Sequence, residues 1–239
     1  MADLHFLANP ARFRRFSQRV LPGLTLATVL ALGVGLYLAL LGAPPDYQQG
    51  ETVRIMFVHV PSAWLSMAGY ALLAALGAAL LVWRHPLAAL MARAAAPVGA
   101  CFALTCLLTG SLWGRPMWGA YWVWDARLTS MLLLFFLYLG HIALTHAFDD
   151  SERGDRAAAI LALAGVINLP IIKFSVDWWN TLHQPASVAK LGGPTIHPTI
   201  LMPLLWMAAA FALLFILLVL VRTETEIDRR RLEIADQDA

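Results

Sequence analysis

Long apolar segments dominate the pattern of hydrophobic and polar positions along the chain, and charged residues are scarce inside them. The segments span about 20–43, 58–83, 92–113, 128–148, 157–174 and 199–221. A helix crosses the bilayer core with roughly 20 apolar residues, and each segment approaches or exceeds that length. The pattern therefore predicts an all-α, polytopic integral membrane protein, a single membrane domain over 1–239 with about six transmembrane helices.

Composition narrows the class of protein further. The chain is 60% hydrophobic and 13% charged, whereas ordinary soluble domains are about 45–50% apolar and about 25% charged. This excludes a large soluble domain, and membrane lipid is the expected surrounding. A net charge of +2 gives no reason to expect a nucleic acid partner. Cys101 and Cys106 both lie inside the third segment, where we interpret them as buried, inert thiols.

Arginine and lysine are distributed unevenly between the two ends of the predicted spans. If the N-terminus is inside, twelve lie in inner segments, namely Arg12, Arg14, Arg15, Arg19, Arg84, Arg93, Arg153, Arg156, Arg222, Arg229, Arg230 and Arg231. Five lie in outer loops, namely Arg54, Arg115, Arg127, Lys173 and Lys190. Cytoplasmic loops carry the excess of positive charge in membrane proteins. We therefore predict cytoplasmic termini and outer loops at 44–57, 114–127 and 175–198.

Tryptophans gather on the predicted outer side. Those in or beside the two long outer loops are Trp113, Trp118, Trp122, Trp124, Trp178 and Trp179, whereas the inner side has only Trp83. An interfacial aromatic belt would populate both membrane surfaces. A one-sided cluster favours a binding surface, so these six tryptophans are candidate binding residues.

The densest aromatic stretch, WGAYWVWDARLT, begins at Trp118. In a helix, side chains three and four positions apart share a face. Such a face would hold Trp118, Tyr121 or Trp122, and Asp125, with Arg127 nearby. It would be a flat aromatic platform that ends in a carboxylate. This platform suits a large, flat, apolar ligand with acidic groups at one edge, which is the shape of haem.

Two histidines flank this stretch on the same predicted side. His59 lies at the outer start of the second span, just before Pro61, and His183 follows Trp179 by four residues. Two neutral imidazoles can ligate a haem iron from opposite faces, and we favour that role for this pair over separate structural roles. His197 is the alternative ligand if His183 is not one. The chain has no Cys-x-x-Cys-His motif, so a bound haem would not be attached through its own thioethers.

Other polar residues near the spans suggest local structure. Pro170, after Asn168, should break the fifth span near its outer end, because an interior proline removes a helical hydrogen bond. Lys173 and Lys190 could bind haem propionates or reach the membrane surface as snorkelling lysines, and the sequence leaves both interpretations open. For His141, inside the fourth span, we predict a satisfied hydrogen bond between helices.

Three stretches resemble motifs of known haem-handling proteins. Residues 118–129 resemble the tryptophan-rich WWD signature of that superfamily. IMFVHVPSAW at 55–64 and SVDWWNTLHQ at 175–184 resemble flanking motifs of one branch, the haem exporter protein C (CcmC) family of system I cytochrome c maturation. Chain length, the number of spans and the order histidine, WWD, histidine agree across essentially the whole chain.

The resemblance implies both a ligand set and a role. In that family two flanking histidines are axial ligands of haem b, which corresponds to His59 and His183 here. The WWD loop contacts the porphyrin, which corresponds to Trp118, Trp122, Trp124 and Asp125. Family members lie in the bacterial inner membrane and present haem on the periplasmic side to the chaperone CcmE. They also join the ABC transporter subunits CcmA and CcmB and the small protein CcmD.

Three other functions are consistent with parts of the sequence. A membrane b-type haem redox protein would place paired histidines in mid-span, but only His141 lies well inside a span. A non-haem transporter subunit of the export complex would carry charged residues inside its spans, and these are scarce. A synthetase that attaches haem to apocytochrome belongs to the same superfamily but is a larger protein. We therefore expect a haem-handling protein with no catalytic residues.

Overall fold

The computed structural model describes residues 9–179, 181–183, 187–188 and 192–237. Its helices are α1 Pro10–Tyr37, α2 Met56–Trp83, α3 Pro86–Trp118, α4 Ala126–His146, α5 Ser151–Gly165, α6 Asn168–Trp178 and α7 Pro198–Gln237. A π-helical turn, Leu38–Gly42, extends α1, and a 3-10 helix, Glu51–Ile55, leads into α2. The described part of the chain contains no β-strand, in agreement with the predicted all-α class.

Six helical segments are long and apolar enough to cross a membrane. They are Pro10–Gly42, Glu51–Trp83, Pro86–Trp118, Ala126–His146, Ser151–Trp178 and Pro198–Glu233. This confirms the prediction of a multi-pass membrane protein with about six transmembrane helices. Six crossings return the chain to the side on which it began.

The first helix begins ten residues before the predicted span. Asn9 caps it, because its side chain accepts a hydrogen bond from the Ala11 N–H at 2.9 Å, and Pro10 occupies the first helical position. Both are favoured at helix starts. The charged first turns are also tied to α7, since Arg14 donates to both oxygens of Asp228 at 2.8 and 3.2 Å. Capping and this ion pair extend the helix beyond its apolar stretch.

The core of the bundle is a pair of tyrosines packed against glycines. Tyr70 of α2 and Tyr138 of α4 are fully buried, with ring centroids 5.1 Å apart and nearly perpendicular. Gly99 of α3 adjoins the Tyr138 ring and Gly165 of α5 adjoins the Tyr70 hydroxyl, each too close for an added Cβ. Tyr138 also donates to the Ser66 carbonyl at 2.6 Å. Small residues that admit large side chains are typical of helix packing in membranes.

The end of the bundle near the chain termini contains a buried polar cluster. Arg93 and Asp155 pair at 2.6 Å, with both side chains 6% exposed. His141 is buried beside them and lines a cavity of about 10 Å³ together with Asp155, room for roughly one water molecule. The predicted hydrogen bond of His141 is not found at Nδ1, which has no partner among the described residues. The cavity is lined mainly by apolar residues, with Thr145 and Asp155 as the other polar side chains.

The fifth span is broken between α5 and α6, at Val166 and Ile167. The break lies four residues before Pro170, not at Pro170 itself. Proline has no N–H to donate to the carbonyl of residue i−4, and its ring crowds that carbonyl. The residue at i−4 is Val166, which directly follows the last residue of α5.

The tryptophan-rich stretch is not helical beyond Trp118. We predicted a loop at 114–127 and considered a helical face across it. Instead, α3 continues to Trp118 and is terminated by Gly119, whose φ of 78° is left-handed and favours glycine. The connection is the non-helical segment 119–125, after which Asp125 caps α4 by accepting from the Leu128 N–H at 2.7 Å. Trp122 and Asp125 are therefore placed by a turn of chain and not by helical periodicity.

Candidate functional site

His59 lies one turn inside α2 and faces α3. A 3-10 helix precedes α2, so His59 is the fourth residue of α2 and Pro61 is the sixth. The imidazole packs edge-on against Trp113, with ring centroids 5.7 Å apart. Gly110 leaves room for it, since a Cβ there would lie 2.8 Å from the ring carbon Cε1. Trp113 is itself held by its indole N–H, which donates to Gln49 at 3.1 Å.

The hydrogen bonds of His59 define its tautomer. Its Nδ1 lies 3.0 Å from the Cys106 carbonyl oxygen and 3.2 Å from the Thr109 hydroxyl. The carbonyl can only accept, and the Thr109 hydroxyl already donates to the Thr105 carbonyl at 2.6 Å. Both neighbours therefore accept, so Nδ1 carries the proton. The lone pair is then on Nε2, the arrangement found in metal-ligating histidines whose other nitrogen donates to a carbonyl.

His183 faces a carboxylate at the outer limit of hydrogen-bonding distance. Its Nδ1 lies 3.5 Å from Oδ2 of Asp125, and the side chains are 19% and 6% exposed. The other oxygen of Asp125 caps α4, so one carboxylate fixes both the helix start and the imidazole. A carboxylate–histidine pair of this kind orients metal ligands in many proteins. The Trp118 ring packs against the same imidazole, with centroids 4.9 Å apart.

Burial lowers the pKa of His183 below its ordinary value, and the Asp125 carboxylate offsets part of that shift. Arg127 acts in the same direction as burial, because a nearby positive charge disfavours the imidazolium. The neutral imidazole is therefore the favoured form near neutral pH, and only this form can bind a metal.

The two imidazoles lie at one end of the bundle, which we call the tryptophan end and define by Trp113, Trp118, segment 119–125 and His183. Trp113 and Trp118, which contact one histidine each, are five residues apart on α3, about 7.5 Å along its axis. His59 packs against Trp113 and His183 packs against Trp118, so both imidazoles lie against the same end of α3. The structure thus brings together the two histidines that the sequence singled out.

Aromatic side chains surround this pair to different depths. Trp122 packs against Trp124, with ring centroids 5.4 Å apart. The buried indole N–H of Trp122 has no hydrogen-bond partner among the described residues. Trp124 is 75% exposed and Tyr121 is 57% exposed. Tyr121 is instead held from the α3 side, where the Arg115 guanidinium lies 5.6 Å from its ring centre. The site therefore has a half-buried aromatic wall of Trp113, Trp118 and Trp122 and an exposed aromatic rim.

The end of α6 adds a second aromatic group. Phe174 and Trp178 are stacked, with centroids 5.4 Å apart, and Trp179 packs edge-on against Trp178 at 5.8 Å. Both tryptophans are about half exposed. They precede His183 in the chain, so the segment that carries this histidine also carries exposed aromatic surface.

Arg127 connects α4 to α6. Its Nε donates to the Ser175 hydroxyl at 3.1 Å, and its Nη2 donates to the carbonyls of Ile172 and Lys173, each at 3.2 Å. The guanidinium of Arg127 thus hydrogen-bonds to α6 and holds α4 and α6 together. The sequence placed this residue near the platform but gave no sign of these partners.

The remaining basic residues are less closely associated with the site. Lys173 is exposed on α6, and Lys190 lies outside the described residues. His197 precedes α7, where its Nδ1 is 2.9 Å from the Thr199 hydroxyl and 3.4 Å from the Thr199 N–H. This ring nitrogen caps α7, so His197 has a structural role in this arrangement.

Three contributors to the site were not singled out from the sequence. The Cys106 carbonyl, Thr109 and Gly110 form the surface of α3 that receives His59. Their i, i+3 and i+4 spacing was a readable signal, since it places all three on one face of a helix. Nothing local, however, connects that face with His59 on another helix.

The fold and site together define a multi-pass membrane protein with a paired-imidazole, tryptophan-lined site at one end of its bundle. Residues 3–237 match the family described as Heme exporter protein C. Heme exporter protein C of Bradyrhizobium diazoefficiens is 61% identical over 225 residues, covering 94% of this chain and 85% of the relative. Its Escherichia coli K12 counterpart is 49% identical over 219 residues, covering 92% and 88%. A mitochondrial protein of Marchantia polymorpha, named for cytochrome c biosynthesis, is 48% identical over 178 residues, covering 74% and 75%. The chain belongs to the Heme exporter protein C family.

Proposed function

We propose that this protein holds haem b non-covalently between His59 and His183. One observation carries the proposal: each Nδ1 faces an acceptor, a carbonyl for His59 and a carboxylate for His183. Each Nε2 is therefore a free base that can bind iron, and two such imidazoles form the axial ligand set of a bis-histidine haem. The residues present fit the group that the family name implies.

The aromatic residues would hold the porphyrin ring. The proposed contacts are Trp113, Trp118, Tyr121, Trp122, Trp124, Trp178 and Trp179, with Asp125 and Arg127 orienting the ligand-bearing segments. Large apolar rings are suited to packing against a porphyrin. The unpartnered buried N–H of Trp122 could donate to an acidic group of the ligand.

We also propose that the tryptophan end faces the periplasm and that the protein lies in the bacterial inner membrane. Twelve of seventeen arginine and lysine residues belong to segments near the opposite end. This distribution supports cytoplasmic termini by the positive-inside rule. The exposed rim of Trp124 and Tyr121 would then lie in the periplasm.

The proposed role of the bound haem is delivery to the chaperone CcmE for c-type cytochrome maturation. Both ligands lie at one end of the bundle, where an edge of the ring can remain accessible to an acceptor. An exporter also needs a source of energy, and this chain contains no P-loop motif, so a partner would supply it. CcmA, CcmB and CcmD are the proposed partners of the complex.

Absorption spectra of the purified protein and of single His59→Ala and His183→Ala variants test the ligation. We expect a low-spin spectrum in the parent, and loss of that spectrum or of haem in each variant, with partial recovery when imidazole is added. His197→Ala is the matched control, because that ring caps α7 and should leave the spectrum unchanged. A low-spin spectrum that survives in the double variant would refute ligation by this pair.

A further inference from the structure

The short helix α6 is separated from the rest of the fifth span. It begins at Asn168, directly after the break at Val166 and Ile167, and its eleven residues end at Trp178. Its substantial packing is with α4, and the other described helices touch it weakly at most. Five residues after its end comes His183. The position of this histidine therefore depends on how α6 is fixed to α4.

Three polar contacts join the α6 segment to the first turns of α4. At the surface, His183 faces Asp125, the cap of α4. Two residues further into α4, Arg127 donates to the Ser175 hydroxyl and to the carbonyls of Ile172 and Lys173. Deepest, the buried amide of Asn168 donates to the Ser130 carbonyl at 2.8 Å. We call these contacts the α4–α6 ladder.

We propose that Asn168 is a positioning residue for haem ligation: by tying α6 to α4 at the break, it determines where His183 stands. The inference rests on the proposed ligation by His183. Asn168 lies at the pivot, where α5 gives no continuous helical support. An apolar side chain there would leave only the two outer polar contacts of the ladder to set the orientation of α6 against α4. A small rotation at the pivot is amplified along a helix of roughly 16 Å.

The side-chain amide of Asn168 has a hydrogen-bond acceptor for its nitrogen but no donor for its oxygen among the described residues. It is 5% exposed, and while its Nδ2 donates to Ser130, its Oδ1 has no partner in the described part of the chain. A buried acceptor without a donor is destabilising, so packing alone would favour an apolar residue of the same size. The single hydrogen bond that it makes is therefore its distinctive contribution, and that bond joins the two helices.

Asn168→Leu tests the proposal in the full-length protein with bound haem. Leucine is close in size and removes the unsatisfied oxygen, and the Ser130 carbonyl keeps its helical position, so the variant should fold. We expect haem retention about fivefold weaker and a high-spin component that added imidazole converts back to low-spin. His183→Ala should show the same signature in stronger form. Ser175→Ala removes one acceptor of Arg127 but leaves the two carbonyl acceptors on α6, so it should show a smaller change.

Tyr138→Phe is the matched control. Tyr138 likewise donates from a buried side chain to a carbonyl of a neighbouring helix, at 2.6 Å, but it lies outside the ladder. An Asn168→Leu spectrum identical to the parent, with His183→Ala altered, would overturn the positioning role alone. Equal high-spin components in Tyr138→Phe and Asn168→Leu would also overturn it, as general loosening. If His183→Ala is unchanged, the ligation itself fails and the positioning role falls with it.

Discussion

Gly110→Ala perturbs His59 without altering any side chain that we propose to contact haem. A Cβ at this position would lie 2.8 Å from Cε1 and 3.3 Å from Nδ1 of the imidazole. Ordinary contacts begin at 3.4 Å, so the ring must retreat from α3 by about 0.6 Å, the difference between 2.8 and 3.4 Å. Trp113 packs against the imidazole and limits other ways of relieving the contact.

This movement of the ring would weaken the hydrogen bond that keeps the proton of His59 on Nδ1. The Cys106 carbonyl belongs to the same face of α3 as Gly110, one turn earlier. Movement of the ring by that amount along the hydrogen bond would lengthen its 3.0 Å distance to about 3.6 Å at most, which is no longer a hydrogen bond. Nδ1 would lose the acceptor that fixes its proton. Loss of such a partner typically weakens metal binding by about 10- to 100-fold, and we expect haem affinity to fall about tenfold.

Haem titration of the purified apoprotein in detergent measures this loss, and Gly33→Ala is the matched control. Gly33 also lies in a membrane helix, but an added Cβ there meets nothing within 4 Å. Replacing glycine by alanine in a helix stabilises it by about 0.5–1 kcal/mol, so neither variant should fail to fold. Equal affinities for the two variants would refute the argument that α3 orients His59.

Three further predictions concern topology, packing and the aromatic loop. In a cysteine-free background, an impermeant thiol reagent added from outside should label a cysteine at Ala120 but not one at Asp150, and the reverse pattern would invert the proposed orientation. Gly99→Ala should lower stability by about 1–3 kcal/mol, because a Cβ there collides with the buried Tyr138 ring; unchanged thermal unfolding in detergent would contradict this. Trp122→Ala should keep a measurable fraction of haem while covalent haem on co-expressed CcmE falls more steeply, and a parallel decline would reduce the loop to a binding element.

The membrane fold could be predicted because its cause is local. A bilayer requires apolar side chains over the whole length of each helix, and that requirement is visible in single stretches of sequence. The predicted helix boundaries differ from the observed ones where polar contacts extend or terminate a helix. Asn9 and Arg14 extend α1, and Gly119 and Asp125 confine the loop to seven residues. The break in the fifth span was foreseen from Pro170, but it lies four residues earlier, at Val166, whose carbonyl cannot accept a hydrogen bond from a proline nitrogen.

The site shows a sharper division between what a sequence can and cannot indicate. The residue types and their one-sided placement were enough to select His59 and His183 as a pair. The proposed ligation depends on the protonation of Nδ1, and this is set by groups far away in the chain. For His59 the acceptors are 47 and 50 residues distant, and for His183 the carboxylate is 58 residues distant. No periodicity links such positions, because they meet only when α2, α3 and α4 pack together. The chemistry of each imidazole is therefore a property of the assembled bundle, and a change on α3 or α6 can alter ligation without touching either histidine.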